Sequence, residues 1–366
     1  MYKRCLGLRD FECFTPDFLF MLQKVLVTGG AGYIGSHTVV ELIQENYDPV
    51  IIDNLSNSSI EAIDGIEAIT GTRPQFEQFD LQDKSSLENF FERNMDIAAV
   101  IHFAAYKAVG ESVNKPELYY RNNLVSLLNL LECMHRFRIS NLVFSSSCTV
   151  YGQPDQLPVR EDSPIKKANS PYGNTKQICE EIIQDSIAAQ EGISGIALRY
   201  FNPVGAHPSA LIGELPRGIP NNLMPFITQT GLGLRKSLKV FGGDYHTPDG
   251  SCIRDYLHVV DLAKAHVVAI RRLLEKKNKS PFEVFNLGTG QGVSVLEMVH
   301  MFEKITGKPL PHEVVARRSG DVEKIWADPS YANHELGWKS EIQLEEMVAS
   351  AWKWEQYYAQ KHPDRE

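Results

Sequence analysis

Tyr172 and Lys176 stand four residues apart in Ser170-Pro171-Tyr172-Gly173-Asn174-Thr175-Lys176, which opens a segment of helical spacing expected to run to about residue 190. That separation puts a phenol and an ammonium on one helix face. A phenol titrates near 10 and is a poor base at neutral pH, so a nearby cation that favours phenolate is needed. Lys176 is placed to supply the charge and Tyr172 to take a proton. Ser147 closes the run Ser145-Ser146-Ser147 at the end of an apolar strand expected over 141–147. Its hydroxyl is suited to hold a substrate hydroxyl while the phenol removes the proton. Each feature also has a plain reading: exposed Tyr/Lys pairs are common on helices, and a serine run is often a turn or a cap.

Elements earlier in the chain give the trio a purpose. Residues 23–28 have the apolar, β-branched density of a buried parallel strand, and Gly29, Gly32 and Gly35 follow at intervals of three before a helix beginning at Tyr33 and Ile34. Strand, glycine turn and helix together form a cradle for a dinucleotide pyrophosphate, which lies against bare amides at a helix N-terminus. A glycine triplet alone is weak, since glycine turns often serve only local conformation. The next strand, 49–52, ends in Asp53, at the distance where an acid bonds the adenosine ribose hydroxyls and repels a 2′-phosphate. NAD is therefore expected rather than NADP.

Further alternation is expected: a helix over 60–69, a strand over 75–80 ending in Asp80, a helix over 85–94, a strand over 98–105, and helices over 119–137 and from 170. This pattern predicts an α/β fold, a doubly wound parallel (Rossmann) sheet with ligands at the strands' carboxyl ends, and a smaller mixed α/β substrate-binding lobe. From Asn202 onward Gly and Pro become frequent, so the cofactor domain is placed at 21–201 and the substrate domain at 202–366. The strand and glycine turn at 284–290 lack a third spaced glycine and a downstream acid, and read as structural.

The 366 residues favour two lobes over one core, and 43% hydrophobic with 23% charged residues is the balance of a soluble globular chain. A net charge of −9 argues against nucleic acid and acidic membranes as partners, and no run is long enough to span a bilayer. Six scattered cysteines (Cys5, Cys13, Cys133, Cys148, Cys179, Cys252) suit reduced thiols and a cytoplasmic location, and no metal-ligand spacing occurs. Residues 1–20 mix basic, acidic and apolar side chains without the form of a signal peptide, which makes Met21 the expected natural start, or 1–20 a loosely docked extension.

The pattern Thr-Gly-x-x-Gly-x-x-Gly with Ser147 and Tyr172-x-x-x-Lys176 resembles that of the extended short-chain dehydrogenases/reductases. The strings around His102-Phe103-Ala104-Ala105-Tyr106-Lys107, Ser145-Ser146-Ser147-Cys148-Thr149-Val150-Tyr151-Gly152, Arg199-Tyr200-Phe201-Asn202-Pro203, Pro220-Asn221-Asn222-Leu223, Arg254-Asp255-Tyr256 and Gly320-Asp321 resemble the UDP-glucose (galactose) 4-epimerase family, from about residue 22 to beyond Trp338. The resemblance implies an enzyme that interconverts UDP-glucose and UDP-galactose with its own bound NAD and works as a homodimer, through helices near 119–137 and 172–190. It implies a return of the chain to the cofactor domain near 257–270. It places Gly29, Gly32, Tyr33, Ile34, Gly35, Asp53, Asn54, Asn57, Asp80, Leu81, Phe103, Lys107, Asn122, Lys176 and Phe201 on the cofactor. It places Ser147, Tyr172, Asn202, Asn222, Leu223, Lys239, Phe241, Arg254, Arg318 and Asp321 on the substrate: the two arginines at its diphosphate, Asp321 at ribose and the strand of Lys239 and Phe241 at uracil. A cation at Lys107 also complements a pyrophosphate in its own right.

Ala105 and Tyr106 depart from the residues common in that family. Ile325 occupies the position where family members admit or restrict an N-acetyl group, and its intermediate bulk leaves acceptance of UDP-GlcNAc/GalNAc open. Two other readings stay on the table: a related NAD-dependent nucleotide-sugar enzyme (a UDP-uronate or UDP-pentose 4-epimerase, or a 4,6-dehydratase) and a non-catalytic nucleotide-binding regulator. Cys148-Thr149-Val150 lacks the acid/base pair that dehydration calls for.

Overall fold

The computed structural model describes residues 22–189, 192–318 and 321–363. The leader 1–20, Met21, Gly320 and the end of the helix expected to reach 190 lie outside them.

Strands β1 (Lys24–Thr28) and β2 (Asp48–Ile52) flank helix α1 (Tyr33–Gln44), followed by α2 (Glu61–Thr70), β3 (Gln75–Glu77), α3 (Lys84–Arg93) and β4 (Ile97–His102). Helices α4 (Val109–Asn114) and α5 (Pro116–Phe137) precede β5 (Asn141–Ser145), α6 (Pro171–Ala189) and β6 (Ser194–Tyr200). The chain continues through β7 (Asn202–Val204), α7 (Leu223–Gly231), β8 (Leu238–Phe241), β9 (Ile253–Arg254), β10 (Tyr256–His258), α8 (Val259–Leu274) and β11 (Phe282–Leu287). It ends with β12 (Val293–Ser294), α9 (Val295–Thr306), β13 (His312–Val315), β14 (Lys324–Ile325) and α10 (Leu344–Lys361).

Seven strands form a parallel sheet in the order β11-β6-β5-β4-β1-β2-β3. Each of its central strands is buried on both faces, which explains their unbroken apolar runs. Val25 and Val27 join α1 and α8 on one face, while Leu26 between them joins Phe90, Phe91 and Leu127 on the other. Fully buried side chains of this size each contribute about 1.5–3 kcal/mol of transfer free energy. The strand order reverses between β1 and β4, so a crevice opens at their carboxyl ends.

The strand read as structural at 284–290 is β11, an edge strand of this same sheet. The strands expected over 75–80 and 98–105 end at Glu77 and His102. The expected strand 141–147 stops at Ser145, and Ser147 instead caps a short 3₁₀ turn, its Oγ accepting from Thr149 N at 3.2 Å. A third core, built from Met224, Ile227, Val240, Met298, Phe302 and Trp352, lies among α7, β8, α9 and α10.

Candidate active site

Gly29 follows β1 at φ +71°, a left-handed conformation favouring glycine, and a Cβ there would lie 2.8 Å from Ala104 N. A Cβ at Gly35 would collide with the Gly29 carbonyl, so the turn and the first turn of α1 can nest only without side chains. Gly32 is the N-cap residue of α1, and no side chain caps the helix. The result is a backbone cradle backed by a helix dipole, suited to an anion.

Asp53, buried at the end of β2, is held by three internal donors: Ala31 N at 3.1 Å on one oxygen, Leu55 N at 2.9 Å and Ser58 Oγ at 2.7 Å on the other. Its carboxylate is thus fixed before any ligand arrives. Asn54 donates to Asp80 at 2.9 Å, and Gln82 links Asp80 with Asn122. The Tyr33 hydroxyl donates to the carbonyl of Gly205 at 2.6 Å, and the Phe103 ring packs on His266.

Ser170 Oγ accepts from Gly173 N at 3.1 Å and Pro171 takes the first helical position, which sets the start of α6 and puts Tyr172 in its first turn. Tyr172 and Ser147 both face the cavity, the phenol beside the serine side chain. Lys176 Nζ, one turn on, donates to Ser145 O at 2.6 Å and lies 4.7 Å from the centre of the Phe144 ring. Burial pushes this lysine down to about 8. Tyr172 shares this dry setting. Burial dominates at Tyr172 and carries it well above the ordinary tyrosine value, with the Ser147 side chain acting in the opposite direction. Spacing revealed the neighbourhood but not how dry it is.

Behind this wall lies a buried network that the sequence did not disclose. Ser146 Oγ donates to Glu180 at 2.5 Å, Arg199 grips Glu180 in a pair whose side chains are each only 6% exposed, and Arg199 continues to Tyr151 at 2.9 Å. The Tyr200 and Ser145 hydroxyls meet at 2.6 Å. These bonds fix the strand end from which Ser147 projects.

All of these expected residues open onto one cavity of about 1320 Å³: Gly29, Gly32, Tyr33, Ile34, Gly35, Asp53, Asn54, Asn57, Asp80, Leu81, Phe103, Lys107, Asn122, Ser147, Tyr172, Lys176, Phe201, Asn202 and Asn222. Leu223, Lys239, Phe241, Arg254, Arg318 and Asp321 are not among its lining. Four of them form a neighbouring cluster. Asp321 receives Arg318 at 2.7 Å and Arg254 at 3.9 Å, and the Arg318 guanidinium lies over the Phe241 ring. The cluster adjoins the cavity at Cys148, whose thiol burial pushes up to about 12 against the influence of Arg254. Lys239 and Phe241 share the exposed face of β8, and Leu223 packs against the third core. Ile325 is buried with Phe201, Tyr151 and Val150.

The lining also includes residues that no local pattern singled out. Glu214 takes Lys107 Nζ at 3.1 Å, and α10 contributes Trp354, Tyr357 and Lys361 from the far end of the chain. His362 just beyond meets Glu61 of α2 at 3.3 Å across the cavity mouth.

This fold and cavity define the class of extended short-chain dehydrogenases/reductases. The family model described as GDP-mannose 4,6 dehydratase matches residues 26–351. The chain is 53% identical to the UDP-glucose 4-epimerase of Dictyostelium discoideum over 333 residues, 91% of this chain and 96% of that one. It is 50% identical to the human UDP-glucose 4-epimerase over 341 residues, 92% of this chain and 97% of that one. Its fold matches a crystal structure of the Bifidobacterium longum UDP-glucose 4-epimerase, in complex with NAD+ and UDP, with a TM-score of 0.88 and 46% identity over 93% of this chain and 99% of that one. The chain belongs to the UDP-glucose 4-epimerase family.

Proposed function

We propose that this chain interconverts UDP-galactose and UDP-glucose at C4 with an NAD it keeps bound. The observation that carries the reading is the single cavity onto which the glycine cradle, Asp53 and the Ser147, Tyr172, Lys176 set all open. At about 1320 Å³ it exceeds the roughly 300–1,000 Å³ of ordinary single-ligand pockets, room for a dinucleotide and a nucleotide sugar together.

The residues present fit NAD. The Gly29–Gly35 backbone cradle suits its pyrophosphate, Asp53 its adenosine ribose, and Lys107 adds a cation. When bound, NAD supplies a hydride acceptor for the sugar C4 and, oxidised, a positive charge near the phenol. Ser147 holds the O4 hydroxyl and Tyr172 takes its proton as the C4 hydrogen departs as hydride, leaving a 4-keto sugar. Lys176, tied to the carbonyl of Ser145, keeps positive charge beside the phenol's end of α6. After the keto sugar turns over, hydride and proton return to the opposite face and to O4, with no net redox change.

On the substrate side, Asn202 and Asn222 address the diphosphate and sugar, Arg254 and Arg318 the diphosphate, Asp321 the ribose, and Lys239 and Phe241 the uracil, with Leu223 a further substrate contact. The pairing of both arginines with Asp321 and the Arg318–Phe241 contact, which gather four of these residues in one cluster, support this reading. Residues 21–201 with the return at 257–270 act as the cofactor lobe and 202–366 as the substrate lobe; β1 to β6 of the seven-stranded sheet support the first span, while β11 (282–287) extends the return to that sheet beyond 270.

The protein works as a cytoplasmic homodimer. Exposed Leu118 and Leu128 on α5, beside Val113 of α4, support a subunit contact there, and the four described cysteines form no disulfide. Among the described residues no helix is long and apolar enough to cross a membrane.

The direct test is to incubate purified protein with UDP-galactose, without added NAD, and to follow UDP-glucose by NMR. Its appearance supports the reading, and its absence from protein shown to contain NAD would refute it.

A further inference from the structure

Glu214 lies in the Gly/Pro-rich loop between β7 and α7, and one of its carboxylate oxygens takes two donors. Lys107 Nζ, on the cofactor side, reaches it at 3.1 Å. Asn222 Nδ2, on the substrate side, reaches it at 2.5 Å. The Glu214 side chain is only 12% exposed, and its backbone carbonyl is held separately by Trp354 Nε1 at 3.0 Å.

We propose that Glu214 is a positioning residue that orients the Asn222 carboxamide for the diphosphate end of a nucleotide-sugar substrate. The proposal rests on the substrate reading of Asn222 given above. An exposed asparagine at a helix N-cap turns freely between its donor and acceptor ends, and Asn222 has no side-chain capping bond to fix it. A carboxylate accepts only, so it selects the amide N–H₂ end and leaves the second N–H and the carbonyl in a defined direction. A bare carboxylate would also repel an anionic ligand. Lys107 offsets that charge, so that the acid can work beside two diphosphates. Because the loop is anchored through the Glu214 backbone, the side chain can be changed with that anchor in place.

The test uses the NAD-loaded protein and calorimetric titration with UDP. Glu214→Ala is expected to weaken UDP binding about tenfold, and Asn222→Ala by a similar factor. The double variant should bind no more weakly than either single one, because both remove the same oriented amide. Glu214→Gln, which retains an acceptor oxygen but can also turn its N–H₂ toward Asn222, should recover part of the affinity. In turnover of UDP-galactose, Glu214→Ala should raise KM about tenfold and change kcat less than threefold. Wild-type UDP binding by Glu214→Ala, losses that multiply in the double variant, or a Gln variant no better than Ala would overturn the proposal. Loss of the epimerase reading is distinguishable, since it would show as a wild-type protein without turnover, while UDP titration still judges Glu214.

Discussion

The cofactor wall and the arginine cluster beyond Cys148 are built in opposite ways. On the wall, charges are spent sparingly: the cradle is backbone, Asp53 is buried and saturated by Ala31 N, Leu55 N and Ser58 Oγ, and Lys176 is tied to a strand-end carbonyl. In the cluster, two arginines share Asp321, and Arg318 is half exposed. The wall is built before its ligand comes, as a resident cofactor requires. The cluster holds its cations in ion pairs that an anion can rearrange, which suits the substrate role proposed for it.

The largest effect should come from the chemistry mounted on the wall. Tyr172→Phe is expected to lower kcat about 10³-fold with UDP affinity unchanged; a variant turning over at near wild-type rates would remove Tyr172 as the base. Next is the wall's own rigidity. Asp53→Ala removes three internal hydrogen bonds along with the ribose acceptor, and NAD content after gel filtration should drop by about tenfold or more, with NADP no longer discriminated against. Unchanged cofactor content would break the contrast between resident and visiting ligands.

The cluster should yield smaller losses, graded by burial. Arg254→Ala should raise KM for UDP-galactose about tenfold and Arg318→Ala about threefold, with kcat nearly constant, because the Arg254 side chain is 17% exposed against 50% for Arg318. The reverse order would show that exposure does not grade these cations.

The mildest effect is in pH dependence. Burial holds Lys176 near 8, so its positive charge is present below that pH and is lost as pH rises through it. The rate should therefore fall on the alkaline side near pH 8, and Lys176→Arg, whose charge persists, should show a lower but flat profile there. An identical alkaline limb in that variant would assign the titration to another group.

What could be read in the sequence divides along the same line. The wall is local: β1, its glycine turn, α1 and Asp53 fall within thirty-odd residues, and strand and helix periods announce them. The pairing of Tyr172 with Lys176 is likewise a matter of one helical turn. The cluster is not local. Arg254 sits on β9 and Ile325 on β14, strands of two residues each that pair only through the fold, and such fragments carry no periodic signal. Resemblance named those residues, but spacing could not have joined them. The roof was equally silent, since α10 reaches the cavity from more than a hundred residues beyond Asn202. Ser147 taught a subtler point: it caps the turn and also faces the cavity beside Tyr172, so a plain reading and a functional one need not compete. Spacing reports neighbours, whereas the exclusion of water from Tyr172 and Lys176 follows only from the fold.

The central claim is that the hydride leaves the sugar and comes back inside one protein. It is tested most directly with UDP-galactose carrying deuterium at C4, given to the purified protein in ordinary water with no added NAD. The account predicts UDP-glucose that keeps the deuterium at C4. Product with protium at C4, or no conversion until NAD is supplied, would contradict it.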